Sequence, residues 1–305
     1  MSASKTKFWP QLLIVCATLI WGSSFLIMKQ SVDSLPVFFL LAVRFSAGTA
    51  ILAVVFWRKW KLLDKQALVG GAVLGALMFA AYVFQTYGLS GLGTWQGTTP
   101  GKNAFFTAIY CVIVPFLSWL FFHKLPDRFN VAAALLCICG IGFVSLGKEI
   151  SFVGGDFLTL LGGVAFSLHI IAVAHFSKKS DIILLTILQF LTMALLSWVG
   201  VLCSGQWFSG PFPFSVVWRL VYLSVAATAL AMLFQNVGQA HTPPAMAAVL
   251  MSLEAPFGVL FSVLFGPERP TAAMYTGFAL IFFAVILSET KLSFLPHRKK
   301  VAKGG

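Results

Sequence analysis

The side chains able to do chemistry in this chain are the few polar and ionisable ones inside long apolar runs. A charge at membrane depth is costly unless it faces protein or water. Glu254 lies about ten residues into one such run, roughly 15 Å along a helix that rises 1.5 Å per residue. A carboxyl there either contacts a solute or coupling ion as a protonatable group, or packs two helices in a protonated or paired form. Arg44 lies about eight residues, or about 12 Å, into another run. It either draws an anionic group or serves as a structural charge, paired with Glu254 or with helix-end carbonyls, and the structural pairing is the expected reading. Lys102 begins a third run, where the positive end of the helix dipole disfavours a cation. Either a substrate carboxylate compensates it or it sits on an exposed link. Neighbouring Asn103 and the amides of residues 99–103 can cap an anion. His169 titrates near neutrality and could relay protons, or could be a neutral, hydrogen-bonded imidazole.

Uncharged polar groups add to this set. Gln85, Gln235, Asn236 and Gln239 suit a polar path and equally suit hydrogen bonds between helices. Trp21, Tyr82, Tyr87, Tyr110 and Trp95 could wall an aromatic cavity, although for Trp95 and Trp207 the interfacial aromatic belt is the preferred reading. His175 and His241 read as ordinary residues near span ends. Small residues four apart, Gly71 and Gly75, read as a close helix contact. The five cysteines (Cys16, Cys111, Cys137, Cys139 and Cys203) all lie in apolar runs, where a thiol behaves as a small buried hydrophobe. Cys137 and Cys139 face different sides of a helix, and no Cys/His cluster has metal-ligand spacing. Neither disulfide, metal nor cofactor is expected.

The elements that position these groups follow from composition. Of 305 residues, 59% are hydrophobic and 10% charged, with a mean hydropathy of +0.92. A soluble domain carries about 25% charged residues, so this chain cannot cover itself with a charged surface. About 20 apolar residues make one span of a hydrocarbon core about 30 Å thick. Ten runs qualify, at roughly 10–29, 36–57, 67–88, 103–122, 129–147, 155–176, 182–203, 214–234, 244–265 and 271–289. Breakers such as Pro36, Pro100–Gly101, Pro126, Gly154–Gly155, Pro211, Pro243–Pro244 and Pro270 separate them. The first run follows Lys5 and Lys7 like a signal peptide. It is long and lacks a small-residue cleavage site, so it reads as a retained span.

Lys and Arg accumulate on cytoplasmic links. With the N-terminus inside, fifteen of the 21 fall on inside links and five on outside links, leaving Arg44 in a span. Both termini are therefore expected in the cytoplasm, and the net charge of +12 reads as an orientation signal beside anionic lipid heads rather than as a nucleic-acid surface.

The two halves resemble each other. Phe84-Gln85-Thr86-Tyr87-Gly88 ends the third run and Phe234-Gln235-Asn236-Val237-Gly238 the eighth. Ala104 precedes Pro115, and Ala245 precedes Pro256, by the same interval; so do Pro126 and Gly140, and Pro270 and Ala284. Arg44-Phe45 and Gln189-Phe190 follow Pro36 and Asp181 equally. Five spans per half is an odd number, so the second half must enter the membrane upside down. Inverted repeats of this kind let a carrier form inward- and outward-facing states of similar energy about one central site. The expected fold is an all-α membrane protein of ten transmembrane helices in two inverted five-helix repeats. Residues 1–9 form a cytoplasmic N-terminus, 10–147 and 155–289 the repeats, and 290–305 a basic cytoplasmic tail.

Trp21-Gly22-Ser23-Ser24-Phe25 resembles the opening signature of the drug/metabolite transporter superfamily, in its EamA-type branch. The segment from Thr98 to Tyr110 followed by Pro115, and Ser252-Leu253-Glu254-Ala255-Pro256, are similar to its fourth- and ninth-span patterns. The resemblance covers residues 10–290, departing at Gly266-Pro267-Glu268-Arg269. It implies a central cavity between the halves, a bacterial-type inner-membrane location and carriage of amino acids or related metabolites. Because it implies that Glu254 recurs across many substrates, the structural role is favoured there.

The translocation path is accordingly expected to use Trp21, Ser24, Tyr82, Gln85, Lys102, Asn103, Tyr110, His169, Gln235, Gln239 and Glu254, with Arg44 as a structural or coupling charge. Arg44 and Lys102 favour a solute bearing a carboxylate. No G-x-x-x-x-G-K-[ST] loop and no H-E-x-x-H motif occurs, so gradients of solute or protons would drive export or exchange by alternating access, and no enzyme is expected. The alternatives are a passive channel, a drug or lipid transporter and, further off, a membrane-embedded enzyme.

Overall fold

The computed structural model describes residues 8–123, 125, 127–145, 152–265 and 271–290. The N-terminal lysines, Lys124, Pro126, Lys148, the turn from Gly266 to Arg269, Pro270 and the basic tail lie outside the described residues. Among those described there is no β-strand, and α1 (Trp9–Val32), α2 (Val37–Val55), α3 (Lys65–Ser90), α4 (Pro100–Thr107), α5 (Tyr110–Phe122), α6 (Arg128–Ser145), α7 (Gly154–Phe176), α8 (Ile182–Ser204), α9 (Phe214–Ser224), α10 (Ala231–Ala240), α11 (Pro244–Met251), α12 (Glu254–Phe265) and α13 (Ala272–Thr290) make up the bundle. Within hydrocarbon a helix satisfies its own backbone, which is why apolar runs of this length fold this way. Among the described residues, seven helical segments are long and apolar enough to cross a membrane: α1, α2, α3, residues 102–122, α7, α8 and residues 214–240. The protein is thus an all-helical, multi-pass membrane protein.

Local signals set the helix ends. Asp64 and Asp181 cap α3 and α8, accepting from Ala67 N at 2.7 Å and from Ile183 N and Leu184 N at 3.0 and 3.1 Å. Asp181 also receives Lys59 at 2.7 Å. Thr99 caps α4, whose first residue is Pro100. Gly91 and Gly205, at φ +87° and +67°, stop α3 and α8 at positive φ, which glycine adopts without strain, Gly205 in the left-handed helical conformation.

Three features depart from the sequence reading. The fourth and ninth runs are each broken mid-course, at Ala108–Ile109 and at Ser252–Leu253. The eighth continues through a π-helical stretch, Val225–Leu230, into α10, six residues past the expected end at Phe234. Gln235 therefore lies inside a helix rather than at its end, and Gln239 is the last residue but one of that helix. The repeat register of the broken runs also changes. Pro100 and Pro244 each open an eight-residue helix, followed by a two-residue break. That alignment equates Tyr110 with Glu254, and Pro115 does not match Pro256. Proline spacing misled because Pro115 is the sixth residue of α5 whereas Pro256 is the third of α12.

Packing repeats when the halves are exchanged. α3 lies on α7 as α10 lies on α1. At the first contact a Cβ on Gly88 would overlap the Thr159 hydroxyl and approach Gly155 O; at the second, one on Gly238 would sit 2.5 Å from Pro10 O and 2.8 Å from Ile14 Cγ1. Two further contacts join an element to its counterpart, α2 to α8 and α6 to α13, and α5 lies on α11 as α12 lies on α4. Phe45 and Phe190 meet edge to face at 5.5 Å across the first. Gly140 lets α6 approach Gly277 and Ile281 of α13, and Gly71 and Gly75 do the same for α3 against Leu188, Gln189 and Thr192 of α8. Overpacking such a contact costs about 1–3 kcal/mol. Gly238→Val is therefore expected to lower the melting temperature of the detergent-purified protein by several degrees, whereas Ala at exposed Val217 is expected to leave it unchanged; equal melting of both would show that the close approach is not needed.

Candidate functional site

Where the two halves meet, side chains from α1, α2, α3, the two broken helices, α7 and α10 enclose a central cavity. The break in the fourth span brings Thr107 and Tyr110 to its wall, and the break in the ninth brings Met251 and Glu254. A helix broken at mid-depth turns backbone ends and the first side chain of the new helix toward the bundle axis instead of lipid. Tyr110 and Glu254, the first residues of α5 and α12, hydrogen bond to each other, with Tyr110 Oη donating to Glu254 Oε1 at 3.0 Å. Matched positions of the two halves thus touch inside the cavity. Among the described residues no basic group pairs with Glu254.

Arg44 lines the same cavity and is 3% exposed. It does not pair with Glu254. Its Nε donates to Thr228 Oγ1, its Nη2 to Ala227 O at 3.4 Å and its Nη1 to Met28 Sδ at 3.7 Å. The guanidinium carbon lies 5.1 Å from the Tyr82 ring centre and 5.5 Å from that of Phe45. The carbonyl of Ala227 also accepts from Trp21 Nε1 at 2.9 Å. His169 is buried and bonds Gln189 Oε1 at 3.1 Å, matching the hydrogen-bonded alternative for that imidazole. Gln85 Nε2 donates to Thr107 Oγ1 at 3.1 Å. Ser24 returns its hydroxyl proton to Trp21 O within its own helix. Phe25, Met28, Leu89, Phe166, Met232 and Met251 complete a largely apolar wall.

The cavity is narrow at about 50 Å³, against about 620 Å³ for a wider vestibule next to it. The vestibule lies between the far end of α5, Asp127, Asn130, Lys178 and the segment from Gln239 to Ala245. A pair of amides separates the two spaces. Gln235, on the cavity, donates to Gln239 Oε1 at 3.1 Å, and Gln239, on the vestibule, donates to Ile170 O at 2.8 Å. Asn236 points elsewhere and donates to Thr186 on α8.

At the opposite end of the bundle the 91–99 link is bonded to α3 and α7. Thr98 N donates to Gly88 O at 2.7 Å and Gly155 N to Gln96 O at 2.9 Å. Asp156, fully buried, accepts from Thr98 Oγ1 and from Val153 N, and its Oδ2 lies 3.8 Å from Lys102 Nζ. The charge that compensates Lys102 is therefore Asp156, neither a free link nor a solute as the sequence suggested. Asn103 sits beside it, donating to Thr159 Oγ1 at 2.8 Å and Gln85 O at 3.1 Å. Of the expected path residues, Trp21, Ser24, Tyr82, Gln85, Tyr110, His169, Gln235 and Glu254 line the cavity together with Arg44; Lys102 and Asn103 belong to the Asp156 end, and Gln239 to the vestibule. Sequence reasoning missed Thr107, Asp156, Gln189 and Thr228. Asp156 did carry a signal, as an acidic residue in the first turn of an apolar helix.

The chain matches the EamA-like transporter family twice, over residues 8–146 and 153–290. It is 31% identical over 286 residues to an uncharacterized transporter of Archaeoglobus fulgidus, spanning 94% of this chain and 87% of that one. It is 23% identical over 291 residues to the uncharacterized inner membrane transporter YedA of Escherichia coli K12, spanning 93% and 92%. A solved crystal structure superposes with a TM-score of 0.75 at 19% identity, over 92% of this chain and 96% of the other, and shares the fold.

Proposed function

Because this chain belongs to the EamA-like transporter family, we propose that it is a secondary carrier that moves a small polar solute through the central cavity by alternating access. In this reading the ten apolar runs all span the membrane, as two inverted five-helix halves. The observation that carries it is the cavity itself. It lies where matched residues of the two halves meet, with the wide vestibule beyond the Gln235–Gln239 pair at one end and the buried Asp156 cluster at the other. Unlike ends around a central site between inverted halves are what one state of an alternating-access cycle has.

The solute class follows from the wall. Arg44 and Glu254 are the two charged side chains on it, and they complement the carboxylate and the ammonium of an amino acid; the apolar remainder suits a compact side chain. The vestibule carries Lys178 and lies at links that the positive-inside rule assigns to the cytoplasm, so in this reading it faces inward and the carrier serves export or exchange across the inner membrane. The similarity to YedA supports that location.

A test is counterflow in proteoliposomes made with the full chain. Vesicles loaded with one labelled amino acid are challenged outside with amino acids, organic acids, nucleosides and amines, at two pH gradients. Saturable, trans-stimulated release by amino acids is the expected result. Release without saturation or trans-stimulation would instead identify a channel, and exchange restricted to amines or lipids would remove the amino-acid reading.

A further inference from the structure

The π-helical stretch Val225–Leu230 lies behind the cavity wall and holds its cation, Arg44. In a π turn the amides bond carbonyls five residues back, so the carbonyl and side-chain pattern of a regular α-helix is interrupted, and such turns recur at functional sites. Here two groups of that stretch are turned to Arg44. Thr228 Oγ1 donates to Leu223 O at 2.8 Å, five residues back, which directs its lone pairs toward Arg44 Nε. Ala227 O accepts from both Arg44 Nη2 and Trp21 Nε1. Gly48 makes room for this, since a Cβ there would stand 3.0 Å from Thr228 Cγ2. All the acceptors on Arg44 are neutral, and among the described residues no carboxylate pairs with it. A buried guanidinium so held keeps its charge and further N–H donors for a partner in the cavity, and an oxyanion matches the planar fork.

We propose that Arg44 is the oxyanion receptor of the cavity, taking a carboxylate group, and that Thr228 is its positioning residue, with the π-helical stretch as the device that aims it. This rests on the reading of the cavity as the solute site and adds the residue and the helical device that set the carboxylate receptor. Thr228→Val keeps the shape but removes both hydrogen bonds, while Thr228→Ser keeps them. Losing a hydrogen bond to a charged group costs enough to weaken binding about tenfold.

The test is a titration of purified protein in detergent with sodium acetate against sodium chloride at fixed ionic strength, read by tryptophan fluorescence, with Trp21→Phe identifying the cavity signal. Saturable acetate binding is expected in the native protein, with no saturable response to sodium chloride. It is expected to be lost in R44Q, weakened in R44K, weakened about tenfold in T228V and restored in T228S. Acetate saturation unchanged in R44Q and R44K would overturn the receptor. T228S binding as weakly as T228V, at an unchanged melting temperature, would overturn the positioning role. Acetate binding that follows this pattern in a protein inactive in every counterflow assay would instead remove only the carrier reading.

Discussion

Glu254→Gln is expected to leave the protein folded yet reduce amino-acid counterflow by at least about tenfold, the effect of losing one charge-assisted contact to a solute ammonium. Two roles for Glu254 are separable because its partner is known. The Tyr110 hydroxyl donates to Glu254 Oε1 at 3.0 Å, and a glutamine oxygen accepts the same bond. A purely structural carboxyl, packing the two broken helices, would therefore tolerate Gln. A carboxylate that meets a solute or coupling ion would not. Glu254→Ala adds the structural loss, since a buried Tyr110 hydroxyl without an acceptor costs about 1–3 kcal/mol, and its melting temperature should fall where that of E254Q does not. Full counterflow in E254Q would assign Glu254 to packing alone. Tyr110→Phe completes the comparison: if the hydroxyl only orients the carboxyl, Y110F should raise KM for the amino acid more than it lowers the maximal rate.

Asp156→Ala is expected to unlatch the end of the bundle opposite the vestibule. Removing one partner of a buried ion pair costs about 3–5 kcal/mol; here Asp156 is fully buried and the Lys102 side chain 12% exposed. The same carboxyl also receives Thr98 Oγ1 and Val153 N, so one substitution releases the link, the start of α4 and the start of α7 together. Among the described residues, the matched positions at the other end carry no such pair. Lys102 and Asp156 are the third residues of α4 and α7, and the third residues of α11 and α1 are Met246 and Gln11, which carry no charge. A latch present in one half only biases the carrier toward the state that is closed at that end. The measurement is labelling of Thr107→Cys, on the cavity wall, by a membrane-impermeant thiol reagent in vesicles of a variant without native cysteines. Leu92→Cys, exposed on the link, marks the face to which that end belongs. Labelling of T107C from the Leu92 face should rise severalfold when D156A is added and return with Asp156→Glu. Unchanged protection in D156A would mean that packing of the 91–99 link, not its charge pair, closes the end.

Much of the scaffold was legible because membrane folding reads coarse features. Apolar length and prolines located the spans, and the boundaries of α7 and α8 fell within a residue of the sequence reading. The match between Gly88 and Gly238 was equally legible, because close helix approach permits only a small residue at those points. The register of the broken spans was not. Pro115 and Pro256 drew the eye, but the breaks follow the capped starts at Pro100 and Pro244. The pairing of charges was harder still. Arg44 with Glu254 was a natural guess from depth, yet both line one cavity without touching, and Arg44 is held instead by a π-helical stretch whose sequence, Val-Ala-Ala-Thr-Ala-Leu, differs in no obvious way from an α-helix.

By itself, then, the sequence determined that this chain is a membrane-embedded helical bundle with a repeated design, and it named most of the polar residues that meet at its centre. These properties are set by composition and by periodic, local rules, because a polar group in hydrocarbon has few places to go. Tertiary structure alone decided which of those groups touch: that Asp156 answers Lys102, that Tyr110 answers Glu254, and that Thr228 and Ala227 hold Arg44. Each of these contacts joins different helices across 54 to 184 positions of the chain, and hydrogen bonds require agreement within a few tenths of an ångström. Depth in a span is a one-dimensional property that a sequence carries; the rotation and register of one helix against another, on which such contacts depend, are settled by packing of the whole bundle.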